Sequence, residues 1–171
     1  MGQRHQIYLR TIDGSIVGIH HQWLYGLRSV KQLKNMLTYI DNAVKNDETF
    51  SFKYDAQSML AACYSIDIES GYYHRVHKLD DNNPDNGDNN NGITLIDISD
   101  MDNPTYCFAS IHGLERLDRS ILEGDYQHKT PIDYKQWIYL HYPLAATTEY
   151  DEFFERYNVM TQQQLNSFFG N

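Results

Sequence analysis

The chain has 171 residues and a formal net charge of −9, from 23 Asp and Glu residues against 14 Lys and Arg residues. This length fits one domain whose core needs neither disulfides nor metals. The acidic excess disfavours binding to the phosphate backbone of nucleic acids. No apolar run approaches the roughly 18–20 residues that span a bilayer, and the first residues lack the apolar segment of a secretory leader. We therefore expect neither a nucleic acid nor a membrane as a partner.

The two cysteines, Cys63 and Cys107, stand among apolar residues. Free cysteine is among the most buried residue types, so both are predicted to be buried thiols rather than partners in a disulfide. Unpaired cysteines of this kind predict an intracellular, reducing compartment.

The first part of the chain is predicted to be a β-hairpin. Polar and apolar residues alternate over Gln3–Arg10, which is typical of a half-buried strand. Asp13-Gly14 supplies a turn, because glycine adopts positive φ without penalty. A second strand is then predicted over Ser15–Tyr25.

The length of the hairpin loop decides which residues lie opposite each other. A loop of two residues pairs His5 with Gln22, whereas a loop of three residues pairs His5 with Trp23. The second register is preferred because it separates polar from apolar side chains, and it collects on one face Ile7, Leu9, Val17, Ile19 and Trp23. His5 and His21 are then expected to lie diagonally on that apolar face.

Helices are predicted where apolar residues recur at spacings of three and four. The clearest helix covers Ser29–Asn46, with Ser29 and Gln32 as a capping box at its start. A second helix is predicted to begin at Asp55. Three more are predicted in the C-terminal part, from Thr130 to about His141, from Thr148 to about Tyr157, and after a cap formed by Thr161 and Gln164.

Three further strands are expected. Tyr72–Leu79 favours a strand, and a second hairpin joins Ile93–Ser99 to Thr105–Ile111. The apolar character of this hairpin predicts strands at the centre of a sheet. We therefore predict that residues 1–171 form a single α+β domain, in which a mostly antiparallel sheet built from two hairpins is covered by amphipathic helices.

The segment Asp80–Asn91 is a polar stretch in which ten of twelve residues are Asp or Asn. The simplest interpretation is a solvated loop between two strands. The alternative is a calcium site, because carboxylates and amide oxygens are the ligands of that ion, although the EF-hand spacing is not matched. The candidate calcium ligands are Asp80, Asp81, Asp85 and Asp88. A calcium- or carbohydrate-binding module is therefore one alternative function.

Three motifs carry a resemblance to a family. They are G-x-R-H-Q at Gly2–Gln6, H-H-Q-W-x-Y-G at His20–Gly26 and D-N-N-x-G at Asp88–Gly92. With them the chain resembles an uncharacterised family of proteins from fungi and large DNA viruses, from which it differs by a shorter first hairpin and a longer Asn-rich loop. The resemblance implies no chemistry, so it transfers no catalytic residue. The viral members imply an assembly component that is incorporated in a virus particle.

Among the eight histidines, His5 and His21 are the first candidates for chemistry. Two imidazoles about 7–8 Å apart on one sheet face can share a metal ion or a water. Zinc needs a third and usually a fourth ligand, which Asp97 and His112 could supply. The alternative is that both rings are hydrogen-bonded core groups in a network with neighbouring polar residues, namely Arg4, Gln6 and Gln22.

Other catalytic patterns are missing from the sequence. It contains no G-x-S-x-G elbow, no Walker loop and no Gly-rich dinucleotide fingerprint. We therefore predict no cofactor, with zinc or calcium as the alternatives. The enzyme hypothesis is a small hydrolase that uses His5 and His21, with or without a metal.

The C-terminal part, residues 130–171, is rich in aromatic side chains. Core packing is one role for them, above all for Trp137, Phe153 and Phe154. Helices this short cannot bury every ring on one stripe, however, and aromatic residues left at a surface are favoured interface anchors. The candidate interface residues are Trp137, Tyr150, Phe153, Phe154, Tyr157 and Phe168. The leading expectation is a non-enzymatic protein that binds a protein partner, or a second copy of itself, through this part.

Overall fold

The computed structural model describes residues 4–22, 24, 26–45, 77–79, 92–109 and 131–169. The strands in these ranges are β1 (Arg4–Arg10), β2 (Ile16–Gln22), β3 (His77–Leu79), β4 (Ile93–Asp97), β5 (Thr105–Ala109) and β6 (Asn158–Val159). The helices are α1 (Leu27–Lys45), α2 (Pro131–His141), α3 (Thr148–Arg156) and α4 (Gln162–Ser167), with a 3₁₀ turn at Pro143–Ala145. The predicted α+β class is confirmed. None of these helices has the length and apolar character needed to cross a membrane.

The strands form one sheet in the order β3-β2-β1-β4-β5-β6. The pairs β1–β2, β2–β3 and β4–β5 are antiparallel, so the two predicted hairpins and the mostly antiparallel sheet are confirmed. The hairpins join through β1 and β4, which run parallel with Leu9 opposite Ile96. A second parallel pair joins β5 to β6, with Tyr106 opposite Val159. The start of β6 therefore lies at the same end of the sheet as the β4–β5 loop.

The loop of the first hairpin consists of Ile12, Asp13 and Gly14. The Thr11 amide donates to the Ser15 carbonyl at 2.8 Å, and the Gly14 amide donates to the Thr11 carbonyl at 3.0 Å. Gly14 has a φ of 82°, as expected for the left-handed residue that follows a type I turn in a loop of this length. The loop is fixed further by the Asp13 carboxylate, which accepts from the Ser15 amide at 3.0 Å.

This loop sets a pairing that neither predicted register contains. His5 lies directly opposite His21, not opposite Gln22 or Trp23, so both predicted registers are wrong. The observed pairing is shifted by two residues from the preferred one, and a shift of two keeps every side chain on its own face. The predicted separation therefore holds, and His5 and His21 share a face with Ile7, Leu9, Val17 and Ile19.

Helices cover that apolar face of the sheet. The side chains of α1 that pack into this core are Val30, Leu33, Met36, Leu37 and Ile40. Those of α2 and α3 are Tyr134, Ile138, Tyr150 and Phe153. On the opposite face a smaller core joins Tyr8, Leu95 and Cys107 to Met160, Leu165 and Phe168. Cys107 is a buried free thiol, as predicted.

Helix α1 begins at Leu27, two residues before the predicted start. The Ser29 amide donates to the Gly26 carbonyl at 3.0 Å, and both Ser29 and Gln32 are buried within the helix. The predicted capping box at Ser29 and Gln32 is therefore wrong, because these two residues belong to the first turns and not to the boundary.

The predicted capping box of α4 is confirmed. Thr161 Oγ1 accepts from the Gln164 amide at 3.2 Å, and Gln164 Oε1 accepts from the Thr161 amide at 2.8 Å. Helices α2 and α3 occupy their predicted ranges to within one residue. The predicted helix at Asp55, the acidic stretch 80–91 with its four candidate calcium ligands, Cys63 and His112 lie outside the described residues.

Candidate functional site

A band of buried polar side chains crosses the sheet at one end of β1 and β2. His5 lies opposite His21, and Gln6 lies opposite His20. The exposed fractions are 0% for His5, 1% for His21, 0% for Gln6 and 7% for His20. Neighbouring residues of a strand point to opposite faces, so the sheet separates His5 and His21 from Gln6 and His20.

His5 is held by a hydrogen bond across the parallel pair of strands. Its Nε2 lies 2.7 Å from Thr94 Oγ1, and both residues are fully buried. Thr94 lies opposite Ile7, two residues from His5 along the same face of the sheet. The bond engages one of the two ring nitrogens and so fixes the orientation of the imidazole.

The environment of His21 favours its neutral form. Burial, followed by the charges of His5 and His20, lowers the pKa of His21 to about 3. A general base works best with a pKa near the operating pH, so His21 is a poor proton acceptor at neutral pH. A neutral imidazole can bind zinc, but only with further ligands beside it.

Asp97 does not join the histidines. It lies at the far end of β4 opposite Arg10, which is about 17 Å from His5 at about 3.3 Å per residue of strand. Asp97 Oδ2 lies 3.6 Å from Arg10 Nη1, and Asp97 Oδ1 accepts from the Ser99 amide at 2.9 Å and hydroxyl at 2.6 Å. The prediction that Asp97 completes a site with His5 and His21 is therefore wrong.

Among the described residues, no third histidine, cysteine or carboxylate joins His5 and His21 as a metal ligand. In the ranges that the structure describes, no group of three or more His, Cys, Asp or Glu side chains is placed to hold a metal ion. His112, the remaining predicted member of the site, lies outside those ranges. Of the predicted catalytic set, the structure thus brings together His5 and His21.

A polar cleft of about 300 Å³ lies at the opposite end of the sheet from the histidines. Its principal lining residues are Asp97, Asp100, Asn103, Thr105, Asn158 and Gln164. The side-chain amide of Asn103 donates from Nδ2 to Asp100 Oδ2 at 3.1 Å, and this bond holds the pKa of the Asp100 carboxyl below its usual value. None of the described lining residues is basic, so the cleft suits a neutral hydroxyl-bearing or a cationic ligand.

Four of the predicted interface residues belong to the core. Tyr150, Phe153, Tyr157 and Phe168 have exposed fractions of 8%, 4%, 4% and 0%. The Phe153 ring centroid lies 5.6 Å from that of Tyr106 on β5 and 5.2 Å from that of Tyr157. Their prediction as surface anchors is wrong. A spacing of three and four places Tyr150, Phe153 and Tyr157 on one stripe against the sheet. Phe168, at the end of α4, packs into the core on the opposite face of the sheet.

The two other predicted interface residues are Phe154 and Trp137. Phe154 is half-buried, and its ring packs against that of Phe153 with the centroids 5.3 Å apart. Trp137 lies on α2, and its side chain is outside the described part of the structure. The fully buried aromatic residues of the C-terminal part therefore belong to the cores of the fold.

Aliphatic side chains, in contrast, are exposed where α2 leads into α3. Leu140 is 74% exposed, Leu144 is 94% exposed, and Pro143 between them is exposed as well. The other large apolar side chain exposed among the described residues is Ile12, at 38%, in the loop of the first hairpin. We call Leu140, Pro143 and Leu144 the corner.

The abundance of aromatic residues does not predict the corner, because its exposed side chains are aliphatic. On α2, Tyr134 and Ile138 face the core. Leu140 lies about 200° around the helix from Ile138, at about 100° per residue, so it points away from that core. A helical projection of α2 therefore contains the signal for Leu140.

Carboxylates of α3 lie beside the corner. Asp151 Oδ1 accepts from the Tyr139 hydroxyl at 3.0 Å and lies 2.6 Å from Lys135 Nζ. Burial, with Asp151 and Glu155 nearby, raises the pKa of Tyr139 to about 12. Asp151 and Glu155 of α3 therefore lie near Tyr139, the residue that precedes Leu140.

Comparisons of the chain with protein-family models, with curated proteins and with solved structures give no significant match. The function must therefore be inferred from the residues of the chain itself. Two of the three large apolar side chains that are exposed in the described ranges lie in the corner.

Proposed function

We propose that this protein is a non-enzymatic interaction protein that binds another protein through the corner. The observation that carries the proposal is the exposure of Leu144, at 94%, together with that of Leu140, at 74%. Single apolar residues on a surface are ordinary. Leu140 and Leu144 are four residues apart with an exposed proline between them, and we take the three as one apolar surface of the kind that marks binding sites.

Burial of the corner supplies part of the binding free energy. Fully burying one leucine side chain is worth about 1.5–3 kcal/mol, so the pair contributes about 3–6 kcal/mol. A micromolar complex needs about 8 kcal/mol. The partner must therefore also contact the polar residues that surround the corner.

The backbone of the corner is held in place before a partner binds. The Tyr142 amide donates to the Ile138 carbonyl at 2.7 Å, and the Ala145 amide donates to the Tyr142 carbonyl at 2.8 Å. Ala145 is itself buried, at 1% exposure, and anchors the 3₁₀ turn to the core. A preformed surface loses little conformational entropy on binding, which favours its use as an interface.

The test compares the wild type with Leu140→Ser/Leu144→Ser and with Ile12→Ser as the matched control. Ile12 is an exposed apolar residue in the first hairpin, so its replacement removes apolar surface elsewhere. Tagged proteins are isolated from the cells that naturally make them, and any stoichiometric companion is identified, purified and mixed again with each pure variant. We expect binding to the wild type and Ile12→Ser, and at least about tenfold weaker binding to the double variant.

The fold of each variant is checked by thermal unfolding. Leu140 and Leu144 are largely exposed, so the double variant should unfold at nearly the temperature of the wild type. Ile12 is only 38% exposed, so Ile12→Ser should unfold at a somewhat lower temperature and still be folded where binding is measured. Equal binding of the companion to all three proteins would contradict the proposal. So would the lack of any companion that binds the pure wild-type protein.

The setting that we propose is the assembly of a larger particle, including a virus particle, in an intracellular and reducing compartment. The likeness of Gly2–Gln6 and His20–Gly26 to proteins of large DNA viruses supports the particle, and the buried free thiol of Cys107 supports the compartment. Quantitative mass spectrometry of purified particles tests this setting. A constant ratio of the chain to the major structural proteins of the particle is expected. Loss of the chain from the particles during salt washing would contradict the proposed setting.

A second candidate function is a hydrolase that uses His5 and His21. The direct opposition of the two buried imidazoles favours it. Elemental analysis of the tag-free protein tests it, since about one zinc per chain, lost in His21→Ala, is expected of a zinc hydrolase. A metal-free chain without activity on ester, phosphoester and peptide substrates would exclude this candidate.

A third candidate is a calcium- or carbohydrate-binding module. The polar cleft at Asp97, Asp100 and Asn158 supports it, because carboxylate and amide groups bind calcium ions and sugar hydroxyls. A ligand that binds the folded state raises the unfolding temperature. No thermal shift with calcium or with a panel of monosaccharides would exclude it.

A further inference from the structure

We infer that the partner segment that covers the corner carries Lys or Arg side chains beside its apolar ones. The inference rests on the proposed function and specifies the chemistry of the partner. The charges of α2, α3 and the residues around them support it.

The part of the chain that carries the corner is acidic. Residues 131–169 contain five acidic residues, Asp133, Glu149, Asp151, Glu152 and Glu155, against two basic ones, Lys135 and Arg156. With histidine neutral, the net charge of these residues is 2 − 5 = −3. A surface of this sign attracts basic segments and repels acidic ones.

Both basic residues of this part are engaged by carboxylates. Lys135 Nζ lies 2.6 Å from Asp151 Oδ1. Arg156 Nη2 lies 2.5 Å from Asp41 Oδ1 on α1. Neither side chain is therefore available to neutralise the remaining carboxylates of α3.

Two exposed carboxylates of α3, those of Glu152 and Glu155, form no ion pair with a described basic residue. Glu149, the first acidic residue of α3, forms an ion pair with Lys34 of α1, so its charge is neutralised within the fold. The unneutralised charge thus lies on the outer side of α3.

This charge lies within reach of a segment that binds the corner. Leu144 lies four residues before the start of α3 at Thr148. Glu152 and Glu155 follow that start by one and two turns, or about 6 and about 10 Å along the helix axis. A partner segment that covers the corner and continues along α3 therefore meets these carboxylates.

A second copy of this chain is a poor occupant of the corner. Each copy carries a formal charge of −9, and a symmetric contact through the corner would place the α3 carboxylates of one copy near those of the other. Like charges that meet across an interface oppose association. A basic segment of a different protein avoids this repulsion.

The test uses three labelled synthetic helical peptides and fluorescence anisotropy at low and high salt. The basic peptide carries leucines at positions i, i+3 and i+7 with flanking lysines. The acidic peptide has glutamates in place of the lysines, and the third peptide keeps the lysines but has serines in place of the leucines. The proteins are the wild type, Leu140→Ser/Leu144→Ser, Glu152→Gln/Glu155→Gln, and Ile12→Ser as the matched control.

We expect the wild type and Ile12→Ser to bind the basic peptide about tenfold more tightly than the other two peptides at low salt. Glu152→Gln/Glu155→Gln should reduce affinity for the basic peptide by about 2- to 30-fold, as expected for two exposed charge pairs. High salt should remove most of the preference, because exposed charges are screened.

The peptide experiment distinguishes failure of the charge inference from failure of the proposed function. Equal binding of the basic and acidic peptides that is lost in Leu140→Ser/Leu144→Ser would overturn the charge inference and leave the proposed function standing. Binding of the basic peptide that survives this double variant would contradict both. No binding of the basic peptide to the wild type below about 1 mM, or a stable dimer of the pure chain that Leu144→Ser dissociates, would overturn the basic partner.

Discussion

His5 and His21 occupy directly opposite positions on β1 and β2, and both imidazoles are buried, with exposed fractions of 0% and 1%. His5 is bound to Thr94, and the pKa of His21 is lowered to about 3. A buried neutral imidazole that becomes exposed on unfolding gains a proton only in the unfolded chain. This relationship makes the stability of the fold depend on pH.

We predict that the free energy of unfolding falls as the pH drops below about 6.5, the ordinary pKa of histidine. The lowered pKa of His21 means that the unfolded chain binds one more proton than the folded chain between about pH 6.5 and about pH 3. The expected slope is about 1.4 kcal/mol per pH unit from this residue. Urea unfolding at several pH values between 7 and about 4.5, above the carboxyl range, measures it.

The matched variant for this prediction is His21→Gln, which removes the titrating group. Its unfolding free energy should depend less on pH over the same window, even if its stability at neutral pH is lower. An unchanged slope in the variant would contradict the assignment to His21. Nitrogen NMR of the wild-type imidazoles at pH 5 offers a second measurement, because it distinguishes a neutral His21 from a protonated one.

Arg10 joins β1 to the C-terminal end of α4. Its Nη2 donates to the Ser167 carbonyl at 2.7 Å and to the Phe168 carbonyl, and its guanidinium lies 5.2 Å from the Phe168 ring centroid. Arg10→Ala should reduce the free energy of unfolding by about 1.5–3 kcal/mol, since bonds from a charged donor are lost. Arg10→Lys should recover only part of this loss, because an ammonium lacks the planar fork of guanidinium.

A matched control for Arg10 is Lys45→Ala on α1. Lys45 pairs with Asp41 at 2.7 Å, but its side chain is 58% exposed. An exposed pair four residues apart on a helix contributes about 0.3–0.5 kcal/mol. Denaturant unfolding of the variants measures both losses of stability. If Arg10→Ala is no less stable than Lys45→Ala, the hydrogen bonds from Arg10 to α4 contribute little to stability.

Gly14 is required by its backbone conformation and not by the space around it. Its φ is 82°, and a Cβ built there meets no atom within 4 Å. Gly14→Ala should therefore cost about 1–2 kcal/mol, the usual penalty for an ordinary residue in the left-handed region, and Gly14→Asn should cost less. Equal stability of Gly14→Ala and the wild type in chemical denaturation would contradict the observed turn.

Replacement by alanine should lower the stability of the fold strongly at Phe153 and hardly at all at Leu144. Phe153 is 4% exposed and contacts the rings of Tyr106, Phe154 and Tyr157. Its truncation should cost about 3–5 kcal/mol of unfolding free energy through the cavity that remains. Leu144→Ala should change stability by less than about 0.5 kcal/mol, because the side chain is 94% exposed. Thermal and denaturant unfolding measure both changes, and a large stability loss in Leu144→Ala would mean that the corner is packed rather than exposed.

Local patterns in the sequence predict the local structure well. The apolar spacing of α1, the proline at the start of α2 and the Thr161–Gln164 capping box each involve residues within a few positions of one another. Such contacts depend on side-chain chemistry that can be read directly from a short window. The two hairpins were predicted for the same reason.

Pairings that depend on distant residues could not be predicted in this way. The parallel contact of β1 with β4 joins residues more than eighty positions apart, and β6 has two residues, too few for a recognisable pattern. The hairpin register was wrong because Gly14 occupies the last position of the loop and not its centre. The position of the glycine within the loop sets the register, so a different position changes every cross-strand pair, including the partner of His5.

The candidate site was predicted in part. Placing His5 and His21 on one face required only the alternation of a strand, which the sequence contains. The position of Asp97 depended on the direction of β4 relative to β1, which no local pattern specifies. The number of aromatic residues in the C-terminal part does not predict their burial, which follows from their spacing on α3. It also does not reveal the exposure of Leu140 and Leu144.

Contact between Leu144 and a partner protein in native cells is tested most directly by site-specific photo-crosslinking. Benzoylphenylalanine is placed at position 144 in one protein and at position 12 in another, and each is expressed in the native cells. We predict one discrete cross-linked partner from position 144, absent from position 12 and lost when Leu140→Ser is added. Equal, diffuse labelling from both positions, or a partner captured only from position 12, would contradict the proposed contact.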